Sequence, residues 1–184
     1  MAKKFIFLDR DGVINKYPGD KNYVTSVKGF YFLPGVLKAL KALYSAGFRL
    51  FVVSNQAGVN KGVYSRESLS AITAFMRDGI ENAGGKIDAV YYCTHRPDEN
   101  CRCRKPKIGS IRRAEQEFKI KARGAYFIGD SIIDVKTAHA AGCKAILVLS
   151  GKEKILNYRE WEEQPEFIFN DFAEAAEFII HEFS

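Results

Sequence analysis

Near its beginning the sequence contains the segment Phe5-Ile6-Phe7-Leu8-Asp9-Arg10-Asp11-Gly12. Its four leading apolar residues favour a β-strand, and the glycine at its end lets the chain turn sharply. The carboxylates of Asp9 and Asp11 are therefore expected at the end of a buried strand. In an open α/β sheet, ligands bind at this carboxyl edge. Two acids at this edge therefore indicate a role in catalysis or ligand binding rather than a contribution to stability. The alternative is a solvated turn that happens to be acidic.

Apolar segments of strand length alternate along the chain with segments of helical spacing. We predict strands at residues 5–8, 48–53, 87–92, 125–128, 144–149 and 167–169, and helices at 34–46, 65–83, 111–118, near 138–141 and after 171. In the second helix, the face that carries Ile72, Phe75 and Met76 is predicted to lie in the core. The alternation predicts an α/β fold with a mostly parallel sheet between helices, in which all the polar strand ends meet at one edge. With 184 residues and no internal repeat, residues 1–184 are expected to form one domain.

The composition is that of an ordinary globular protein, with 47% hydrophobic and 27% charged residues. No apolar run approaches the ~20 residues of a transmembrane helix, and residues 1–4 lead into the first strand without a leader pattern. We therefore expect a cytoplasmic protein with no membrane partner. The formal net charge is +6, but the lysines and arginines are dispersed, which favours an anionic small substrate over nucleic acid. No apolar surface stripe is left over, so a monomer is expected.

Four polar segments are predicted to converge at the carboxyl edge of the sheet. They carry Asp9 with Asp11, Ser54 with Asn55, Arg104 with Lys105, and Asp130 with Asp134. Carboxylates as close as Asp9 and Asp11 repel each other unless a cation such as Mg²⁺ lies between them, and Asp130 can complete a cation site with Asp9. One carboxylate could attack phosphorus while the other handles the proton of the leaving group. Ser54 and Lys105 offer a hydroxyl and a positive charge to the phosphoryl oxygens.

Three of the four cysteines fall in one short polar segment, together with a histidine. Cys93 and His95 precede Cys101 and Cys103, so three sulfurs and one nitrogen lie within eleven positions. This set makes a complete tetrahedral shell for a structural Zn²⁺, which would order a loop that has few apolar residues. A disulfide between two of these cysteines is the alternative, which a cytosolic setting disfavours. Cys143 stands alone and is expected to be a buried core cysteine.

The order of the polar motifs resembles the four motifs of the haloacid dehalogenase (HAD) superfamily of phosphatases. The matching residues are Asp9-x-Asp11-Gly12, Ser54, Lys105 and Gly129-Asp130-x-x-x-Asp134, which span most of the chain. The resemblance implies that Asp9 is the nucleophile and that Asp11 is the general acid/base. It further implies that Ser54 and Lys105 hold the transferring phosphoryl group. Mg²⁺ would be bound by Asp9, by Asp130 and by the backbone carbonyl of Asp11.

The segment from Cys93 to Pro106 resembles the zinc loop of the D,D-heptose 1,7-bisphosphate phosphatases and of the related histidinol-phosphate phosphatases. The heptose branch is matched more closely, through residues 9–15, 23–24, 54–59 and 61–62. That branch implies a HAD-like domain without a cap, in which the zinc loop at 93–103 shapes specificity. It also implies substrate contacts from Asp20, Tyr23, Ser54, Asn55, Gln56, Arg104 and Lys105. Two features depart from the pattern of the heptose branch. The loop between Asn15 and Tyr23 is longer than in that pattern, and Ser131 stands where the branch often has a lysine.

The function that these residues predict is that of a Mg²⁺-dependent phosphatase. The resemblance to the heptose branch implies that it would remove the 7-phosphate of D-glycero-D-manno-heptose 1,7-bisphosphate through an aspartyl phosphate, on the route to lipopolysaccharide precursors. Histidinol-phosphate hydrolysis is the nearest alternative. Nucleic-acid 3'-phosphate removal is more distant, because aromatic residues are not interleaved with basic ones. In a different class, a zinc-stabilised module without turnover would use its basic charge to bind a polyanion. The four intact catalytic positions favour the enzyme.

Overall fold

The elements of the chain follow the predicted alternation of strands and helices. The computed structural model describes residues 4–154 and 158–183, and residues 1–3, which the expectation about a leader includes, lie outside the described residues. The described strands are β1 Phe5–Leu8, β2 Arg49–Asn55, β3 Ala89–Cys93, β4 Tyr126–Gly129, β5 Lys144–Val148 and β6 Phe167–Phe169. The α-helices are α1 Val36–Ser45, α2 Arg66–Asn82, α3 Gly109–Phe118, α4 Ile132–Ala141 and α5 Phe172–Glu182. None of the helices in the described ranges combines the length and the hydropathy that a membrane span requires.

The first strand, β1, occupies the centre of the sheet. The strands are hydrogen-bonded in the order β3-β2-β1-β4-β5-β6, and every neighbouring pair is parallel. The predicted α/β fold with a mostly parallel sheet is thereby confirmed. Ile6, Phe7 and Leu8 expose no surface, because helices cover both faces of the sheet. The strand order reverses beside β1, and in open α/β sheets the ligand crevice lies at the carboxyl end of the strands at such a point.

Successive side chains of β1 enter two different cores. Ile6 and Leu8 lie in the larger core, with apolar residues of α1, α2 and α5. Phe7 lies in the other core, with apolar residues of α3 and α4. Its ring centroid is 5.6 Å from that of Phe51 and 6.4 Å from that of Phe127. Because β1 is held on both faces and by a strand on each side, the position of the acids that follow it is well defined.

Several predicted bounds differ from the described ones, and two differences from the predicted elements have a clear physical reason. Strands β2 and β3 continue to Asn55 and Cys93, beyond the predicted bounds, because their pairing extends until these two residues lie opposite each other. Phe75, predicted for the core, is 41% exposed. It lies at the margin of the apolar stripe of α2, where its ring contacts those of Phe30 and Phe32 at centroid distances of 5.8 and 6.2 Å. Helical spacing identifies the apolar stripe of a helix, but it does not show how much of that stripe neighbouring segments bury.

The last helix begins at a side-chain cap, which predicts a stability effect. The Asp171 carboxylate accepts a hydrogen bond from the N–H of Glu174 at 3.0 Å. Asp171→Ala removes this acceptor, so the free energy of unfolding should fall by ~1 kcal/mol. Asp171→Ser keeps an acceptor and should lose much less. Urea unfolding measures both variants, and equal losses would show that the cap is not the cause.

Candidate active site

The carboxyl ends of β1, β2 and β4 open into a cleft of about 200 Å³. Of the residues singled out in the sequence, it is lined by Asp9, Asp11, Tyr23, Ser54, Asn55, Arg104, Lys105, Asp130, Ser131 and Asp134. The remaining lining residues are Tyr17, Pro18, Gly19, Lys21, Asn22, Ile133 and Lys152. A larger cleft, of about 380 Å³, opens at the opposite edge beside Phe48 and Tyr126, but its lining includes no carboxylate, serine, cysteine or histidine. The four polar segments therefore share the smaller cleft, where the reactive groups are.

Lys105 lies between two carboxylates on the floor of this cleft. Its Nζ atom is 3.0 Å from Asp9 and 2.6 Å from Asp134, and all three residues are buried. Burial opposes the charge of Lys105, but the carboxylates of Asp134 and Asp9 outweigh it and raise the pKa of the lysine above its usual range. Ser131 donates a hydrogen bond from Oγ to Asp134 at 2.6 Å. Lys105 is therefore a fixed ammonium, and Asp134 is its buried partner.

Three buried carboxylates face one another across the cleft floor. One oxygen each from Asp9, Asp130 and Asp134 lies within 4.8 Å of the other two. Burial, opposed by Lys105 and aided by Asp134 and Asp11, raises the pKa of Asp9 to about 6. Burial and the charges of Asp134 and Asp9 also raise the pKa of Asp130. When ionised, the three carboxylates and the Lys105 ammonium leave two negative charges, which a divalent cation with oxygen ligands such as Mg²⁺ would neutralise.

Asp130 is enclosed by two glycine-containing turns that leave no room for larger residues. A Cβ atom on Gly12, whose φ is +82°, would lie 2.1 Å from Asp130 Oδ2, and a Cβ on Gly151 would lie equally close. The backbone N–H of Lys152 donates to the same oxygen at 2.8 Å, and Ser150 Oγ donates to the Gly12 carbonyl at 2.8 Å. The turn after β5 was not identified from the sequence. Its signal is Gly151, three positions after the last residue of a strand that ends at the same edge of the sheet.

The carboxylate of Asp11 is held by donors from the protein interior. Arg10, which is fully buried, donates from Nη2 to its two oxygens at 2.9 and 3.0 Å. The side-chain amides of Asn15 and Gln56 each donate to it at 2.8 Å. Although burial opposes the charge, Arg10 and these hydrogen bonds lower the pKa of Asp11. The role of Arg10 was not identified from the sequence, where its signal is its place between the two acids.

Two residues predicted to contact substrate do not line the cleft. Gln56 is 1% exposed, donates to Asp11 and accepts from the Tyr64 hydroxyl at 2.6 Å, so it supports Asp11 from behind. Adjacent side chains at a strand end point to opposite sides of the sheet. Asn55 and Gln56 are neighbours in one sequence motif, but for this reason they do not face the same surface. Asp20 lies in the loop after β1, is exposed, and accepts a hydrogen bond from Tyr17 at 2.7 Å.

Asn55 and Arg104 connect the cleft to the cysteine segment, which comprises residues 93–103. The Asn55 side chain accepts from the N–H of Lys105 at 3.0 Å and donates to the Lys105 carbonyl at 3.2 Å. Arg104 donates from Nη1 to the His95 carbonyl at 3.4 Å. Asn55 therefore fixes the backbone that carries Lys105, and Arg104 links the cleft wall to the segment that follows β3.

Cys93, His95, Cys101 and Cys103 form one compact cluster. The three sulfurs are 3.2 to 3.6 Å apart, and His95 Nδ1 lies 3.6 Å from Cys93 and 3.3 Å from Cys103. The cysteines are free thiols, so the structure does not contain the alternative disulfide. Ligands bound at about 2.3 Å around a tetrahedral Zn²⁺ lie roughly 3.8 Å from one another, so this set fits the ion with a small expansion.

Comparison with known proteins identifies relatives that cover nearly the whole chain. Residues 102–175 match the HAD-hydrolase-like family model. The D-glycero-beta-D-manno-heptose-1,7-bisphosphate 7-phosphatase of Pseudomonas putida is 37% identical over 96% of this chain and 99% of its own length. That of Helicobacter pylori is 37% identical over 80% of this chain and 84% of its own. The crystal structure of the D,D-heptose 1,7-bisphosphate phosphatase of B. bronchiseptica, complexed with magnesium and phosphate, is 33% identical and superimposes with a TM-score of 0.89, over 97% of this chain and 99% of that chain.

Repulsion on the cleft floor predicts that Asp130→Asn stabilises the metal-free protein. A raised carboxyl pKa means that the folded state holds the proton more tightly, so the metal-free wild type loses stability as pH rises from about 4 to 7. At pH 7 the substitution should raise Tm by a few degrees, since about 1 kcal/mol corresponds to roughly 2–4 °C at this size. The gain should vanish near pH 4, where these carboxyls are protonated. Scanning calorimetry with chelator measures this, and a lower Tm at pH 7 would contradict the repulsion.

Proposed function

The chain belongs to the family of the D-glycero-beta-D-manno-heptose-1,7-bisphosphate 7-phosphatases, and we propose that it is a Mg²⁺-dependent phosphatase that removes the 7-phosphate of that bisphosphate. The observation that carries this proposal is the cleft floor, where Asp9 and Asp134 flank the ammonium of Lys105 and Asp130 completes a group of three carboxylates. Phosphoryl transfer needs a nucleophile, a divalent ion and fixed donors, and these residues can provide or hold each one. The protein would then be a phosphoric monoester hydrolase that serves lipopolysaccharide precursor synthesis.

We assign the attack on phosphorus to Asp9. Its Oδ1 accepts from the next backbone N–H at 2.7 Å and its Oδ2 faces Lys105 at 3.0 Å, so the carboxylate is held in one orientation. A bond between an Asp9 oxygen and phosphorus would form as the bond to the sugar oxygen breaks, which gives an aspartyl phosphate. Lys105 and the hydroxyl of Ser54 would meet the phosphoryl oxygens. Mg²⁺ held by Asp9, Asp130 and the backbone carbonyl of Asp11 would neutralise charge on the phosphoryl group.

Asp11 would carry the proton in both half-reactions. It would donate to the departing sugar oxygen and then accept a proton from the water that attacks the aspartyl phosphate. Its lowered pKa favours the carboxylate, the form that takes a proton from water. A phosphate dianion beside Asp11 favours the protonated form, so substrate binding would prepare the first step. Arg10, Asn15 and Gln56 would keep the carboxyl group in one orientation throughout.

We also propose that Cys93, His95, Cys101 and Cys103 bind a structural Zn²⁺. Three thiols and one imidazole form a complete ligand set with no position open to water, so the ion would order the loop rather than take part in chemistry. Arg104 follows the last ligand directly and would contact the substrate from there. This loop, in place of a separate cap, would then form one wall of the site within a single catalytic domain.

A small phosphorylated sugar is the proposed substrate, and Tyr23, Asn55 and Arg104 are its proposed contacts along the cleft wall. We propose that the protein works in the cytoplasm as a monomer, without a nucleic-acid or membrane partner. Free thiols, which a reducing compartment preserves, and lysines and arginines dispersed along the chain support this proposal. Histidinol phosphate is the alternative substrate, because the cysteine segment resembles both branches of phosphatases.

Phosphate release from two substrates tests the proposed function. With Mg²⁺, kcat/KM should be far higher for heptose 1,7-bisphosphate than for histidinol phosphate. Asp9→Asn keeps the shape of the side chain but not its nucleophile, so kcat should fall by ~10³-fold or more while the fold is retained. Wild-type turnover by Asp9→Asn would refute the mechanism. A preference for histidinol phosphate would keep the chemistry and change the substrate.

Metal analysis tests the zinc proposal. Protein purified without added metal should contain close to one Zn²⁺ per chain, and Cys101→Ser should lose the ion and lower kcat/KM as the loop loosens. Cys143→Ser is the matched control, because Cys143 is buried away from the cluster and donates from Sγ to the Ala122 carbonyl at 3.3 Å. A fully active enzyme that contains no zinc would refute the assignment.

A further inference from the structure

The mouth of the cleft carries positive charge that the floor does not use. Lys105, on the floor, is engaged by two carboxylates, and the acidic floor as a whole is neutral once a divalent cation balances it. The same cleft is also lined by Lys21, Arg104 and Lys152. Arg104 belongs to the wall already described. The two lysines come from the loop after β1 and the turn after β5, and their charges remain available to a ligand.

Lys152 is anchored at the floor and extends its ammonium toward the loop after β1. Its backbone N–H donates to Asp130 Oδ2 at 2.8 Å, which fixes the start of the side chain beside the catalytic acids. Its Nζ atom lies 4.0 Å from Asp20, whose carboxylate also accepts from Tyr17 at 2.7 Å. The side chains of Lys152 and Asp20 are 40% and 76% exposed, and an exposed pair at this distance is weak. A phosphate can therefore displace Asp20 from Lys152.

Lys21 adds a second ammonium from the same loop. It lies in the turn from Gly19 to Asn22, which is closed by a hydrogen bond from the N–H of Asn22 to the Gly19 carbonyl at 3.1 Å. The φ of Lys21 is +62°, a region that glycine adopts far more readily than lysine. The turn therefore holds a charged side chain at the cleft where a glycine would suit the backbone better.

We propose that Lys21 and Lys152 form a second anion subsite, which binds the phosphate that is not hydrolysed. The inference rests on the proposed function, because one phosphate of a bisphosphate occupies the floor and the other, one sugar away, needs cationic donors at the mouth. On binding, Lys152 exchanges its weak contact with Asp20 for a phosphate oxygen. The ligand class is a sugar that carries two phosphates. A sugar monophosphate leaves the subsite empty.

The bisphosphate and the 7-monophosphate of the same heptose separate this subsite from the floor. The quantity to measure is the ratio of the KM for the bisphosphate to the KM for the monophosphate. This ratio should rise by ~10-fold in Lys152→Gln and also in Lys21→Gln, because each variant loses a charge-assisted hydrogen bond. Lys121→Gln is the matched control, because this lysine lies at the opposite edge of the sheet. It removes the same charge and should leave the KM ratio unchanged. A ratio that does not change in the Lys152 and Lys21 variants would overturn the subsite.

Asp20→Asn should act in the opposite direction. The change removes the carboxylate that competes for Lys152, so the KM for the bisphosphate should fall by about twofold to threefold. A rise in KM for both the bisphosphate and the monophosphate would instead mean that Asp20 binds the sugar, which would overturn the exchange.

Failure of the proposed function would give a different result from failure of the subsite. If the wild type hydrolyses the heptose bisphosphate and the KM ratios stay constant, the function stands and the subsite is refuted. If the wild type does not hydrolyse it, inhibition of p-nitrophenyl phosphate hydrolysis reports on the subsite. The Ki for fructose 1,6-bisphosphate relative to that for fructose 6-phosphate should then rise ~10-fold in Lys152→Gln. An unchanged Ki ratio would overturn the subsite whatever the natural substrate is.

Discussion

Three buried carboxylates lie close together on the cleft floor, and one ammonium, that of Lys105, contacts two of them. Like charges in a dry environment cost free energy, and Lys105 offsets only part of the repulsion among Asp9, Asp130 and Asp134. The fold holds the group together because Asp9 follows β1, Asp130 follows β4, and these two strands pair in the middle of the sheet. The free energy gained by burying two large apolar cores therefore offsets the cost of burying these charges, which a divalent cation would neutralise.

The surroundings of the floor differ in how firmly they are held. Arg10, Asn15 and Gln56 anchor Asp11 from the interior, and two glycine-containing turns enclose Asp130, so the reacting groups have little freedom. The wall formed by the cysteine segment has few apolar residues, and its order would come from a metal. The mouth is lined by exposed residues of the loop after β1 and the turn after β5, namely Lys21, Asn22 and Lys152. In the proposed function, the firmly held floor would carry the chemistry, and the wall and the mouth would select the substrate.

The sequence predicts most of the floor, because its signals are local. An apolar run that ends in two acids, and a glycine followed by an acid after a later strand, locate β1, β4 and the acids Asp9 and Asp130 without knowledge of the tertiary structure. The cysteine spacing predicts the cluster for the same reason. The roles of Arg10 and of the turn after β5 were not predicted, because they arise from contacts that exist only in the folded chain. Phe75 shows the opposite error, because it is exposed where a core position was predicted. Gln56 lies outside the cleft lining for a related reason, since a motif or a helical stripe does not say which side neighbouring segments cover.

Exchange of protons for one divalent cation at the cleft floor is the event on which the proposed chemistry depends, and isothermal titration calorimetry measures it directly. Titration with Mg²⁺ in buffers of different ionisation enthalpy gives both the stoichiometry and the number of protons released. At pH 6, we expect one Mg²⁺ per chain with release of protons, because the pKa of Asp9 is about 6 and that of Asp130 is raised. At pH 8 the release from Asp9 should disappear while binding strengthens. No binding at either pH, or binding at pH 6 without proton release, would contradict this description of the site.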